Sequence, residues 1–131
     1  MSDSAADIAA QIRELVAKAA VGLTLEVTAN LREACPVDTG NARARFIPHV
    51  GDDDPGSYEA GAAAVVAYKI GDGPLNITND APYLPFLIGG SSSQAPAGWD
   101  VTAIDEAIQT TQQQYDVRIE VTRDTASEPA P

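Results

Sequence analysis

The sequence contains one cysteine, Cys35, and one histidine, His49, in 131 residues. A single cysteine cannot form an intrachain disulfide, and a structural zinc site takes its ligands mainly from cysteine and histidine side chains. We therefore exclude a disulfide framework and a zinc site. The low cysteine content is compatible with a reducing compartment.

Aromatic residues are also scarce, at 5% of the chain, although apolar residues as a whole make up 44%. This apolar fraction excludes a disordered chain. Much of it is alanine, however, whose side chain buries little surface. We therefore expect one domain of ordinary size with a thin core, whose stability is completed by partners.

Basic residues are few: eight lysines and arginines stand against nineteen acidic residues, which gives a net charge of −11. Proteins that hold DNA or RNA gain affinity by neutralising phosphates with basic side chains, and anionic membranes attract basic segments. The charge balance therefore argues against both functions. It remains compatible with a protein that surrounds DNA without adhering to it.

The sequence shows no leader with a basic and then an apolar region, and no run of about 20 apolar residues. We therefore expect neither a signal peptide nor a membrane span. We expect a single α+β domain over residues 1–124, followed by a flexible polar tail over residues 125–131.

Helical periodicity dominates the first quarter of the chain and predicts one amphipathic helix from about Ser4 to Ala34. Ser2 or Asp3 is expected to cap the start of this helix. Gly22 is expected to mark a kink or a close contact, and Pro36 to end the helix. The apolar stripe consists of Ile8, Ile12, Leu15, Ala19, Leu23, Val27 and Leu31.

Alternation of apolar and polar residues predicts the strands. One strand is expected over residues 41–50, with Arg43 and Arg45 on its outer face, and another over residues 115–124. A short strand is expected over residues 75–79.

Two further helices are predicted, one over residues 57–70 with Ser57 as N-cap and one over residues 101–114 with Asp100 as cap. The expected fold class is therefore α+β. A long N-terminal helix plus two shorter helices pack on a small, mainly antiparallel β-sheet.

A short apolar segment, residues 84–88, lies directly before a Gly-Gly-Ser-Ser-Ser loop. The loop is either catalytic or an assembly loop that a neighbouring subunit orders. The loop serines and His49 make a Ser-His-Asp hydrolase conceivable, but no Gly-x-Ser-x-Gly elbow surrounds any serine. Residues 52–54 are three adjacent aspartates without the alternating spacing of an EF-hand, so we interpret them as a solvated turn.

Four single residues have a packing and a functional interpretation. We interpret Cys35 as a small packing residue, because reactive thiolates are favoured at helix N-termini and not at C-termini. Arg43 and Arg45 serve either surface solubility or docking to an acidic patch on a neighbour. Trp99 either packs the following helix onto the core, which we favour, or anchors an interface.

Two stretches and the helix after them resemble a known family. The stretches are "CPVDTGNARARFIPHVG" after the long helix and "GPLNITNDAPYLPFLIGGSSSQAPAGW" further on. They are similar to the neck or tail-completion family of long-tailed bacteriophages (head–tail joining proteins that include minor tail protein Z). The matching positions are the Pro-Val-Asp-Thr-Gly turn and Asn79, Pro82, Tyr83, Gly90, Ser92, Gln94, Ala95, Pro96 and Gly98.

The resemblance covers about Val27 to Ile108 and has two departures. Family members often have an acidic residue near the position of Ile88, and often a methionine where Trp99 stands. Neither position carries a catalytic group in the family, so the departures concern only subunit contacts.

The resemblance implies a structural virion protein at the head–tail junction, in a ring of six copies, with no enzymatic activity and no cofactor. Its implied partners are further copies of itself, the head-side connector or stopper protein, and the tail terminator or tail-tube protein. Genomic DNA would pass through the ring without specific binding, and the protein would reside in the virion after assembly in the host cytoplasm. The alternative within this class is the tail-terminator ring that caps the tail tube.

The interface candidates are chosen from the basic strand, the apolar segment, the serine loop and the entry to the last helix. They are Arg43, Arg45, Tyr83, Leu84, Phe86, Ile88, Ser91, Ser92, Ser93, Gln94 and Trp99.

Overall fold

The computed structural model describes residues 4–36, 41–81, 84, 88–89, 97–115 and 118–119. The described elements confirm an α+β fold with a long N-terminal helix, further helices and a two-stranded antiparallel sheet.

Helix α1 spans Ala5–Ala34, 30 residues, close to the predicted bounds. Its cap is Ser4, and not Ser2 or Asp3 as predicted. The Ser4 hydroxyl accepts the Asp7 backbone N–H at 3.1 Å, and the Asp7 carboxylate accepts the Ser4 N–H, which closes a capping box. The helix ends at Cys35, whose backbone is extended because it precedes Pro36.

The strand predicted over residues 41–50 is wrong for its first half. Residues Asn41–Ala44 form a helical turn, α2, and strand β1 is restricted to Ile47–Val50. Ala42 and Phe46 are both buried, and their spacing of four places them on one side of a helical turn. Arg43 and Arg45 therefore do not share a strand face.

Helix α3 spans Tyr58–Val66, with Ser57 as the predicted N-cap, and ends four residues before the predicted end. Two hydrogen bonds explain the early end, because the Asp72 carboxylate accepts the Lys69 N–H and the Lys69 carbonyl accepts the Asp72 N–H. These bonds form a turn that leads into strand β2.

Strand β2 spans Leu75–Thr78 and pairs antiparallel with β1, with Pro48 opposite Ile77. Helix α3 packs on β1 through Gly61, where an added Cβ would overlap the Pro48 carbonyl oxygen. Glycine at this position therefore allows the helix to approach the strand closely.

Helix α4 spans Trp99–Tyr115, slightly longer at both ends than predicted, so Asp100 lies in its first turn and does not cap it. It runs antiparallel to α1. The Asn30 side chain donates to the Ala103 carbonyl at 3.2 Å near the start of α4, whereas Gly22 faces Tyr115 at its end.

The strand predicted over residues 115–124 is not found in the described part of that range. Tyr115 belongs to α4, and Arg118 and Ile119 have no strand assignment. The Ile119 N–H donates to the Gln112 side chain at 2.8 Å instead of to a neighbouring strand. The other residues of the prediction lie outside the described ranges.

The core lies where the C-terminal half of α1 meets α2, the end of the sheet and the start of α4. Within the described part of the chain, half of the ten buried hydrophobic residues are alanines, as expected from the composition. The central cluster consists of Leu31, Cys35, Ala42, Phe46, Ala81, Trp99 and Ala103.

Candidate interaction surfaces

Arg43 holds the end of α1 in place. Its Nε donates to the Cys35 carbonyl at 3.3 Å and its Nη2 to the Glu33 carbonyl at 2.9 Å. The last carbonyls of a helix lack partners within the helix and carry partial negative charge. The guanidinium therefore serves as a side-chain cap, a role that the sequence prediction missed because it placed Arg43 on a strand.

Arg45 lies further out and forms an ion pair with Asp80, with Nη1 and Oδ1 at 3.0 Å. Both side chains are exposed, so the pair contributes little to stability. Arg45 thus remains accessible to a partner, whereas Arg43 donates two hydrogen bonds within the chain.

Three predicted interface residues contact the core. Trp99 is 4% exposed and meets Phe46 edge to face, with ring centroids 6.2 Å apart. Leu84 and Ile88 are partly buried against the same cluster. The packing role that we favoured for Trp99 is therefore observed. The other candidates, Tyr83, Phe86, Ser91, Ser92, Ser93 and Gln94, lie outside the described residues.

Cys35 is fully buried, in agreement with the packing interpretation. Burial raises the pKa of the Cys35 thiol from 9.0, and the nearby Arg43 charge lowers it by a smaller amount. A buried thiol with a raised pKa is a weak nucleophile at neutral pH.

His49 is tied to the β1–α3 loop. Its Nδ1 donates to the Gly51 carbonyl at 2.8 Å, and the Asn76 amide donates to the same oxygen at 2.9 Å. This bond orients the ring toward a turn of its own chain. The serines of the hydrolase hypothesis lie outside the described ranges, so that hypothesis stays untested.

Within the described ranges, no group of three or more His, Cys, Asp or Glu side chains is arranged to hold a metal ion. None of the helices in those ranges has the length and apolar character that crossing a bilayer requires.

A different surface appears on the N-terminal half of α1. We name it the α1 stripe: Ile8, Ile12, Leu15 and Val16, which are 48%, 56%, 46% and 48% exposed. The sequence analysis assigned three of these residues to a stripe that continues into the core, and their exposure was not expected. The lengths of the two helices could have indicated this exposure. At about 1.5 Å per residue, α1 extends roughly 45 Å and α4 only roughly 26 Å, so α4 cannot cover all of α1.

An open groove of about 690 Å³ lies on the opposite side of α1, against the segment after α3. Ala10 and Ala17 line it, and they lie about half a turn from Ile8 and Leu15. Three of the eight basic residues line the groove as well, Arg13, Lys18 and Lys69, together with Glu14, whose carboxylate pairs with Lys18 at 3.2 Å. The groove therefore combines apolar walls with more basic than acidic side chains, on a chain that is strongly acidic as a whole.

Comparison of the chain with protein-family models, with curated proteins and with solved structures finds no match. The family resemblance therefore depends on the quoted motifs alone.

Proposed function

We propose that the chain is a structural virion protein of a long-tailed bacteriophage, located at the head–tail junction. In this proposal about six copies form a ring that joins the tail to the head connector and lets DNA pass. The order and spacing of the Pro-Val-Asp-Thr-Gly turn and the Asn-x-x-Pro-Tyr and Gly-x-Ser-x-Gln-Ala-Pro-x-Gly segments support it.

The structural observation that carries the proposal is the exposed apolar surface. Among the described residues, six large apolar side chains are exposed, and half of the buried apolar residues are alanines. Four of the six exposed side chains form the α1 stripe and two line the groove on the opposite side of α1, and exposed apolar patches mark interaction sites on soluble proteins. A subunit of an assembly needs such surfaces, because its neighbours supply the burial that its own core lacks. The six side chains are Ile8, Ile12, Leu15, Val16, Val66 and Ile70.

The charge supports passage of DNA rather than binding. With a net charge of −11, the chain repels phosphates on average. We expect no salt-dependent retention of the purified protein on duplex DNA at about 0.1 M salt. Retention that weakens steeply as salt increases would favour a nucleic-acid-binding head protein instead.

The direct test is an amber mutation of the gene in the phage, followed by electron microscopy of the lysate. We expect filled heads and complete tails that fail to join, and joining restored by the wild-type protein. Normal tailed particles without the protein would overturn the proposal.

A loop deletion tests the assembly role at finer resolution. Deleting residues 91–93 is expected to reduce joined particles, because the serine loop is proposed to contact a neighbouring subunit. The matched control deletes residues 52–54, another three-residue loop segment, which is exposed. Equal particle yields from both deletions would count against a specific role of the serine loop.

The alternative is the tail-terminator ring. A ring that caps the tail tube stops its growth, so its loss predicts tails of uncontrolled length. A neck protein leaves tail length unchanged. Tail lengths in the amber lysate therefore separate the two.

A further inference from the structure

The groove between α1 and the segment after α3 has the size and the lining of a binding cleft. Its volume is about 690 Å³, within the range of about 300–1,000 Å³ that is usual for ligand clefts. Val66 and Ile70 line it and are 65% and 45% exposed. The groove can therefore hold a segment of polypeptide against an apolar wall.

The groove also contains positive charge that the described chain does not neutralise. Three basic side chains and one acidic side chain line it, which gives a net charge of +2. Lys18 is paired with Glu14, whereas Arg13 and Lys69 are exposed and have no ion-pair partner within the described ranges. Unpaired cations beside apolar side chains favour an occupant that carries carboxylates.

The segment of residues 120–131 has the complementary charge. It carries three acidic residues and one basic residue, which gives a net charge of −2. The acidic residues are Glu120, Asp124 and Glu128, and the basic residue is Arg123. Their carboxylates are separated by three residues each time, so an extended segment distributes them along its length.

The described chain leaves α4 beside the groove. Helix α4 ends at Tyr115, which lines the groove, and the Ile119 N–H donates to the Gln112 side chain one turn earlier. An extended chain spans about 3.3–3.6 Å per residue, so residues 120–128 reach roughly 30 Å. The part of α1 that lines the groove, residues 10–21, is only about 17 Å long. The segment is therefore long enough to follow the whole groove.

We propose that the 120–131 segment binds in the groove of its own chain, with its carboxylates against Arg13 and Lys69 and with Val66 and Ile70 beneath it. Because the segment is tethered, its effective concentration at the groove is on the order of millimolar. An intrinsic dissociation constant of about 0.1 mM then fills the groove in about nine of ten molecules. Weak exposed ion pairs and two apolar side chains suffice for a contact of that strength.

The bound segment closes the groove to other acidic chains, including those of a second copy. A partner that uses the groove must first displace the segment. The contact lies within one chain and needs no phage component, so its failure and the failure of the proposed function are separate results.

Carbodiimide crosslinking of the full chain tests the contact, because this reagent joins carboxylates to amines that touch them. The chain contains two lysines, Lys18 and Lys69, and both line the groove. We expect monomers in which Lys69 is joined to an acidic residue of the range 120–128, identified by mass spectrometry. The link between Lys18 and Glu14, whose charged atoms lie 3.2 Å apart, is the positive control.

Trypsin gives a second readout, because the bond after Arg123 is protected while the segment is bound. We expect Lys69→Glu in the full chain to increase the rate of this cleavage about fivefold or more, since the rate follows the unbound fraction. The matched control is Arg45→Glu, the same change of charge at an exposed arginine outside the groove, which should be cleaved at the wild-type rate. Circular dichroism confirms that both variants fold.

Three results would overturn the proposal. The first is a crosslink in the positive control without any link from Lys69 to residues 120–128. The second is a link from Lys69 to that range only in crosslinked dimers, which would identify a second copy as the occupant. The third is an equal rate of cleavage after Arg123 in the wild type and in both variants, which would show that the charge of the groove does not hold the segment.

Discussion

Two arginines that look equivalent in the sequence have different roles at the residue scale. Arg43 donates to two carbonyls at the end of α1, whereas Arg45 pairs with Asp80 in solvent. Hydrogen bonds from a charged donor to helix-end carbonyls satisfy groups that otherwise lack partners. In an exposed ion pair, both charged groups are well solvated whether they are paired or apart, so pairing contributes little to stability.

We therefore expect Arg43→Ala to lower the free energy of unfolding by about 1–3 kcal/mol. Arg45→Ala should lower it by less than about 1 kcal/mol. Urea denaturation of both variants measures the difference. Equal losses would show that Arg43 does not cap the helix in solution.

Cys35 gives a pH-dependent prediction. Its folded pKa is raised from 9.0 by burial, so above the unfolded pKa the folded state retains a proton that the unfolded state releases. The unfolded state then binds fewer protons, and stability decreases as pH rises. The contribution is fully present below about pH 9 and is lost as pH rises through the folded pKa.

We expect the free energy of unfolding to fall more steeply above pH 9 in the wild type than in Cys35→Ala. Chemical denaturation at several pH values measures both slopes. Other titrating groups affect the two proteins alike, so parallel slopes would contradict the raised pKa.

At the scale of elements, the contact between α1 and α4 depends on Gly22, which lies against the ring of Tyr115. A Cβ at Gly22 would lie 2.9 Å from a ring carbon of Tyr115, which is shorter than ordinary contact. Alanine is also about 1 kcal/mol better than glycine inside a helix. The two effects oppose each other.

We expect Gly22→Ala to be neutral or destabilising in the wild type but stabilising by about 1 kcal/mol in a Tyr115→Ala background. Thermal denaturation of the wild type, the two single variants and the double variant completes the double-mutant cycle. Identical effects in both backgrounds would mean that the two helices do not meet at these residues.

Some elements followed from local sequence alone and others did not. The long helix, its end before Pro36 and the Ser57 cap depend on signals within a few residues, and their prediction is confirmed. The strand predicted over residues 41–50 is wrong in its first half because a single helical turn and an alternating strand both place Ala42 and Phe46 on one side. Contacts outside the segment favour the helical turn, because Arg43 donates hydrogen bonds to the Glu33 and Cys35 carbonyls at the end of α1.

The surfaces were less predictable than the elements. Ile8, Ile12 and Leu15 have the spacing of core residues, and their exposure depends on where α4 ends. Periodicity identifies the apolar side of a helix, but it does not show which element covers that side. Trp99 was predictable because a large apolar residue at a helix entry commonly packs inward.

At the scale of the whole molecule, charge opposes compactness. A net charge of −11 on 131 residues produces electrostatic repulsion. This repulsion is stronger in the compact folded state than in the expanded unfolded state, so it lowers the stability of the fold. Salt screens this repulsion, because the Debye length falls from about 10 Å at 0.1 M to about 3 Å at 1 M.

We expect the thermal midpoint to rise as sodium chloride increases over that range. Replacing Asp52, Asp53 and Asp54 with asparagine removes three negative charges and should reduce the salt dependence. Calorimetry on both proteins measures the two slopes. A midpoint that falls with salt would show that attractive ion pairs outweigh the repulsion.

The position of Trp99 gives the protein an internal optical reporter. It is the only tryptophan, it is buried against Phe46, and it lies at the opposite end of α4 from Tyr115, roughly 24 Å away along the helix axis. Its fluorescence should therefore shift to longer wavelengths when the core around it opens, so the emission of one residue reports the unfolding of the core.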